Sequence, residues 1–277
     1  MTPRTLLREA AERLRQRGIP DPEVDAALLL AHVTGSSALA LRLDDRPLPE
    51  QQEAVFRALL EKRLTRTPLQ YILGDQPFMG RRFRVDARVL IPRPETELLA
   101  ERALDALARC PAEHPLALDL CCGSGCIAAT LALDAPRAQV YASDLSPDAL
   151  ALARENCRAL SAPVTLHEGD LFAPIKTLRF DVIVSNPPYI PSGECDTLQP
   201  EVLREPRMAL DGGADGLTFY RRIAAEAPDC LTRGGVLLLE VGDGEAEAVC
   251  SLLAPRFAHV AVYPDLRRVP RMIEAVL

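Results

Sequence analysis

A doubly wound, mostly parallel α/β sheet, preceded by a small all-helical domain, is the fold this sequence predicts. Three observations predict it. From residue 116 onward, apolar runs of strand length alternate with stretches of helix length. The first seventy or so residues show only helical spacing. Between these regions apolar residues fall two apart, as in a β-hairpin.

Each element follows in order. Thr2-Pro3 and Asp21-Pro22 place a capping residue before a proline, the pairing favoured at a helix start. Leu6, Ala10 and Leu14, then Val24, Leu28 and Ala31, recur at helical spacing behind them. A third helix is expected from near Pro49, with Val55, Phe56, Leu59 and Leu60 on one face, ending before Pro68. Such short amphipathic helices must bury their stripes on one another. Phe83 and Val85, then Val89 and Ile91, with residues 86–88 between, predict a hairpin linker. A helix over 95–108 follows. Strands are expected at 116–120, 139–143, 164–167, 180–185, 236–241 and 259–262, with a long loop after 185 and a helix over 216–231.

Composition narrows the function classes. The 277 residues suffice for two domains, and 48% hydrophobic residues can build a core without disulfides or metal. A net charge of -7 and a pI near 5.3 argue against a long electrostatic footprint on DNA or RNA. Residues 2–17 are charged and amphipathic, unlike a secretory leader, and the uncharged stretch 120–133 is too short to span a bilayer. A cytoplasmic protein without a membrane partner is expected, its eight cysteines reduced. Cys121, Cys122 and Cys126 cluster, but no second Cys/His pair stands at zinc-ligand spacing, so no metal is expected.

The first strand of the alternating region ends in Asp119-Leu120, and Cys121-Cys122-Gly123-Ser124-Gly125 turns from it into a helix. Glycine allows positive φ and close approach to a ligand, and a helix N-terminus offers unpaired N–H groups. The next strand ends in Asp144, placed to accept hydrogen bonds from ribose hydroxyls. This much fits two cofactors, because Gly123 to Ala128 also satisfies the dinucleotide fingerprint of nicotinamide enzymes. An acidic residue before the turn, here Asp119, is closer to the S-adenosylmethionine motif. In that frame Asp170 bonds the adenine amino group and Leu171 covers the ring.

The decisive run is Asn186-Pro187-Pro188-Tyr189, directly after the strand 180–185. Ligands of a doubly wound sheet bind at the carboxyl ends of its strands, which sets this run beside the cofactor. Two prolines offer carbonyls but no N–H, fix φ and push Asn186 away from helical geometry. With the Asn186 side-chain oxygen they form a stiff, donor-poor corner suited to a planar NH₂ group, whose two hydrogens need two acceptors. An amide nitrogen is a poor nucleophile. Two acceptors orient it and favour pyramidalisation, so positioning and aimed dipoles supply the rate. Tyr189 is expected to stack on the flat substrate group.

With these motifs the sequence resembles the HemK/PrmC family, the release factor glutamine methyltransferases, over nearly its whole length. Pro68-Leu-Gln-Tyr-Ile-Leu-Gly74, Ile91-Pro-Arg-Pro-Glu-Thr-Glu97, Asp119 to Gly125, Asn186 to Tyr189, Glu205-Pro-Arg207 and Asp211-Gly-Gly213 through Tyr220 stand in the family order. The resemblance implies a class I methyltransferase fold and S-adenosyl-L-methionine as methyl donor, with S-adenosyl-L-homocysteine as product. The implied reaction is N5-methylation of the glutamine in the Gly-Gly-Gln loop of peptide chain release factors. It further implies a helical domain, 1–74, that docks the factor, a hairpin linker, 75–92, and a catalytic domain, 93–277. Asn186 and the Pro187 carbonyl hold the substrate amide, with Pro188 and Tyr189 beside them, and Arg93 and Glu95 line the substrate entrance. The turn from Cys121 to Gly125, Asp119, Asp144, Asp170, Leu171 and Asn186 hold the cofactor. The run Ile91 to Glu97 is typical of the release factor enzymes, whereas relatives acting on a ribosomal protein differ there. Two departures stand out: Cys121-Cys122 replaces the usual Gly-Thr, and residues 265–270 lack the usual glycine after Asp-Leu. DNA adenine-N6 methyltransferases share the tetrapeptide, but they need a target-recognition segment and a basic face, against which stand the small helical domain and the negative charge.

Overall fold

Thr2 and Pro3 begin the first helix, α1 (Pro3–Gln16). The Thr2 hydroxyl accepts from the Thr5 N–H at 3.3 Å, and Pro3 lacks only a donor that the first turn leaves unused. The computed structural model describes all of residues 1–277, which divide into two units. The first comprises Met1–Asp75 and the short segment Gln199–Arg204. Its helices are α1, α2 (Pro22–Thr34), α3 (Ala38–Leu43), α4 (Glu50–Leu64) and α5 (Leu69–Leu73). Leu6, Leu14, Leu29, Leu30, Phe56 and Leu60 make its core.

Sequence and structure part at several points here. Asp21 gives α2 no side-chain cap, although Pro22 opens that helix. On α2 Val24 and Leu28 are exposed, while Ala26, Leu29 and Leu30 are buried. Residues 26–31 are apolar all round, so spacing alone cannot choose the face that packs. On α4 Phe56 and Leu60 are buried but Val55 is exposed. The short α3 and α5 carry too little sequence to show a helical period. Buried Arg63 donates to Asp25 Oδ2 and to Glu201 Oε1, each at 2.7 Å, and Arg66 reaches Glu201 Oε2 at 2.7 Å. Glu201 thereby fixes the segment Gln199–Arg204 to the helices.

The second unit comprises Gln76–Leu198 and Glu205–Leu277. A two-stranded hairpin pairs β1 (Asp75–Phe78) with β2 (Arg81–Arg84). Met79 and Gly80 turn between them with φ of 48° and 73°, the mirror-image turn that matches strand twist. The hairpin therefore lies one strand earlier than the spacing of Phe83 to Ile91 predicts. Val85, Val89 and Ile91 are buried, but Asp86 Oδ1 captures the Arg88 N–H at 3.0 Å and turns the chain locally. That side-chain bond competes with a strand ladder.

The main sheet contains β3 (Leu116–Leu120), β4 (Gln139–Asp144), β5 (Val164–Glu168), β6 (Phe180–Ser185), β7 (Leu231–Glu240), β8 (His259–Pro264) and β9 (Pro270–Val276). Its order is β5-β4-β3-β6-β7-β9-β8, with β3 to β7 parallel and β9 antiparallel to both neighbours. Strand β9 is absent from the sequence reading, its pattern masked by Pro270 and Arg271 at its start. Side chains alternate between two cores: Ala117 and Val182 face one, Leu118 and Ile183 the other. Helices α6 (Pro94–Arg109), α7 (Cys126–Asp134) and α8 (Pro147–Leu160) cover the first, and α9 (Thr218–Cys230) and α10 (Ala246–Leu253) the second. Strand order reverses at β3, between β4 and β6. A ligand crevice belongs at the carboxyl ends there.

Candidate active site

A cavity of about 320 Å³ opens at that switch point. On one side, β3 ends at Leu120 and the chain turns through Cys121, Gly123 and Gly125 at φ of 63°, 52° and 74°. A Cβ on Gly125 would stand 3.1 Å from Ala153 Cβ of α8, so glycine lets the start of α7 press against that helix. Cys121 takes the same left-handed conformation with a side chain, which disfavours it by about 1 kcal/mol. Asp144, at the end of β4, accepts from the Gly123 N–H through Oδ2 and from the Ser146 N–H through Oδ1, each at 2.9 Å. It thus braces the turn as well as lining the cavity. Burial raises its carboxyl above the usual range.

Asp119 is almost fully buried, also on the cavity wall. Its Oδ2 accepts from the Ala128 N–H at 2.9 Å, whereas Oδ1 has no partner. Burial pushes this carboxyl up to about 8, opposed by the Ala128 N–H. An unpaired buried acceptor on a cavity wall suits a cationic donor. A sulfonium amino acid carries one in its ammonium, so these residues fit S-adenosylmethionine. Asp170 and Leu171 also line the cavity, with Asp170 Oδ2 paired to Arg222 at 2.8 Å. Leu171 is buried at φ of 47°.

Across the cavity, β6 ends at Ser185, whose hydroxyl donates to the Leu120 carbonyl at 2.6 Å and ties the two strand ends together. Asn186 and Pro188 line the cavity; Pro187 and Tyr189 do not. Tyr189 turns inward against the second core, and burial pushes its hydroxyl up to about 12. Stacking of its ring on substrate, expected from the sequence, is not what this placement offers. The main chain of Tyr189 is clamped instead. A Cβ on Gly212 would lie 2.7 Å from Tyr189 Cα, and the Gly212 N–H donates to the Ile190 carbonyl at 2.8 Å. Only glycine fits there, which gives the Asp211-Gly212-Gly213 run its physical reason.

The Asn186 amide nitrogen donates to Thr96 Oγ1 at 3.2 Å, and the Thr96 hydroxyl bonds Glu240 Oε2 at 2.7 Å. Thr96 and Glu240 are both 3% exposed, and burial pushes the Glu240 carboxyl up to about 7. Sequence reasoning missed both in any role; the run that contains Thr96 held the only signal. Arg93 lines the cavity and donates to buried Glu205 at 2.6 Å, whose other oxygen accepts from the Ile91 N–H at 2.9 Å. Glu95, expected beside Arg93, is instead paired with Arg267 at 3.1 Å and does not line the cavity. Met208 and Phe219 add apolar walls absent from the sequence reading. No group of three or more His, Cys, Asp or Glu side chains is gathered to hold a metal ion, and no helix is long and apolar enough to cross a membrane.

A parallel sheet with this turn after β3 and this tetrapeptide after β6 defines a class I S-adenosylmethionine-dependent methyltransferase. Residues 96–215 match the methyltransferase small domain, and residues 5–74 match the PrmC N-terminal domain. The chain is 47% identical to the release factor glutamine methyltransferase of Geobacter sulfurreducens, covering 87% of this chain and 84% of that one. It is 46% identical to the enzyme of that description from Chlorobaculum tepidum, over 96% and 94% of the two chains. The protein belongs to the release factor glutamine methyltransferase family. Among solved structures, a Pyrococcus furiosus methyltransferase shares the fold at a TM-score of 0.53 and 18% identity, covering 72% of this chain and 89% of its own. A T. thermophilus 16S rRNA methyltransferase, solved with AdoMet and guanosine, does so at 0.54 and 19%, covering 73% and 49%.

Proposed function

We propose that this enzyme methylates the side-chain amide nitrogen, N5, of the glutamine in the Gly-Gly-Gln motif of peptide chain release factors. The observation that carries the reading is Asn186: it lines the cavity that holds the cofactor turn, and it begins a loop whose next two residues have no N–H. When bound, S-adenosylmethionine supplies an electrophilic methyl group on a sulfonium. Asp119 Oδ1, the turn from Cys121 to Gly125, Asp144, Asp170 and Leu171 would hold it.

On the family pattern the Oδ1 of Asn186, which lines the cavity, and the carbonyl of Pro187, which follows it in the chain but is not on the cavity wall, would accept the two hydrogens of the glutamine NH₂. That grip fixes the nitrogen and turns its lone pair away from the amide π-system. Alignment replaces a chance encounter, and fixed dipoles meet the charge as it develops. No side chain need act as a strong base first, because the nitrogen becomes acidic as it is alkylated and its proton then passes to water. Pro188 stiffens the corner, and Arg93 stands at the cavity wall where a substrate loop would enter. The helical domain, residues 1–74, docks the release factor, and residues 93–277 carry out transfer. The setting is cytoplasmic.

Labelled-methyl transfer to purified release factor tests the reading. Label on the wild-type factor, and none when alanine replaces the motif glutamine, is the expected result. Equal labelling of the two factors would overturn it.

A further inference from the structure

An asparagine carboxamide is nearly symmetric in shape. A cavity cannot select its oxygen over its nitrogen by fit, so the choice falls to hydrogen bonds. At Asn186 the choice decides the chemistry. With Oδ1 outward the group accepts from a substrate NH₂; reversed, it would set N–H against N–H. We infer that Glu240, acting through Thr96, dictates the orientation of the Asn186 carboxamide and is therefore a positioning residue for methyl transfer. The inference deepens the proposed function and rests on it.

Polarity passes along the chain of bonds in one direction only. An ionised carboxylate has no hydrogen, so Glu240 Oε2 can only accept, and the Thr96 hydroxyl must donate its single hydrogen across 2.7 Å. Only lone pairs of Thr96 Oγ1 then remain for Asn186. The carboxamide must present Nδ2, at 3.2 Å, and Oδ1 is left for substrate. The fold sets the three groups at one level. Ser185 of β6 is in register with Leu239 of β7, so the next residues, Asn186 and Glu240, stand side by side, and Thr96 comes from the first turn of α6. With Thr96 and Glu240 only 3% exposed, bulk water cannot stand in for either partner.

Glu240 has no salt-bridge partner, although a buried carboxylate is costly without one. The groups facing it are the Asn186 carboxamide itself, whose N–H side also favours the ionised carboxylate, Glu95 from α6, Arg271 from β9, Tyr189 from the acceptor loop and the Tyr220 hydroxyl of α9, which bonds the Glu240 carbonyl at 2.8 Å. Burial brings its carboxyl to about 7, within reach of ordinary buffers. Once protonated, Glu240 donates to Thr96, whose hydrogen is released toward Asn186 and draws Oδ1 inward. The acceptor is then withdrawn from substrate. Transfer should fall as pH drops through about 7, with the cofactor still bound.

Two variants and two readouts test this. Thr96→Val removes the relay, and Glu240→Gln replaces an obligate acceptor by an amide that can also donate, so the direction of the bonds is no longer imposed. Both should lower kcat on release factor on the order of 100-fold, comparable to losing one catalytic hydrogen-bonding group, with the calorimetric Kd for cofactor unchanged. Thr96→Ser, which keeps the hydroxyl, should restore most of the rate. Wild-type kcat should lose about tenfold per pH unit on the acid side, and Glu240→Gln should abolish that slope. The second readout needs no release factor: the Asn186 NH₂ hydrogens, followed by NMR, should exchange slowly in wild type and fast in Thr96→Val. Wild-type kcat in Glu240→Gln, or fast exchange in the wild-type enzyme, overturns the inference. Slow exchange in a wild-type enzyme that leaves the factor unmethylated would sink the proposed substrate while leaving the orientation standing.

Discussion

The turn after β3 and the loop after β6 sit at the ends of neighbouring strands, yet they are built by different means. The first is backbone architecture: left-handed residues at 121, 123 and 125, braced by Asp144 through the Gly123 N–H. The second is side-chain architecture. Its prolines remove donors, and its Asn186 carboxamide is hydrogen-bonded to Thr96, which in turn bonds Glu240. Damage to the turn should therefore appear in cofactor affinity, and damage to the loop in the rate of transfer.

The largest expected effect breaks the loop alone. Asn186→Ala should slow single-turnover methyl transfer by about 10²–10³-fold, the usual loss for one oriented polar group in an active site. Calorimetry should find cofactor affinity unchanged; a parallel loss would mean that the two regions are not separable. Next, Asp144→Ala should weaken cofactor binding by about 1.5–3 kcal/mol, the range for a charge-assisted hydrogen bond, with kcat retained at saturating cofactor.

A third test uses the unpaired Asp119. Its carboxyl, near 8 when buried alone, should fall when a cationic cofactor arrives, so binding at pH 7 should release a fraction of a proton. Calorimetry in buffers of different ionisation heat measures it, and proton uptake would refute the placement. The sign for stability is opposite to the usual carboxylate. Asp119 and Glu240 keep their protons in the folded state above their ordinary 3.8 and 4.5, so stability is greatest below about 4 and is lost progressively as pH rises from there to about 8 for Asp119 and about 7 for Glu240. The unliganded enzyme should melt at lower temperature as pH rises over that window, just where transfer gains rate.

The smallest effects sharpen the comparison. Cys121 and Arg268 are both non-glycine residues at positive φ, 63° and 67°, in the two stretches that depart from the family pattern. Cys121→Gly and Arg268→Gly should each raise the denaturation midpoint by the equivalent of about 1 kcal/mol. Only Cys121 lines the cavity, so only its replacement should alter cofactor affinity.

The same contrast explains what could be read from the sequence. The turn, Asp144 and Asn186 were legible because each lies at the end of an apolar strand and its chemistry is local to a few residues. Thr96 and Glu240 were not, because 144 residues separate them and only the sheet register brings Glu240 level with Asn186. Tyr189 follows a related rule: a tetrapeptide says which ring is present, whereas close approach by Gly212 and an apolar core decide where it points. Strand alternation gave the sheet but not β9, and the buried residues Val85, Val89 and Ile91 imitated a hairpin that belongs to β1 and β2.

The six residues Gln199–Arg204 carry a practical consequence. The polypeptide leaves the sheet-bearing unit after Leu198, is moored by Glu201 to Arg63 and Arg66, and returns at Glu205. The helices are thus not a head joined by a single neck. Cutting the chain at residue 76 would strand Glu201 without its two cations, and a chimera that exchanges N-terminal domains between relatives must carry this distant hexapeptide with them.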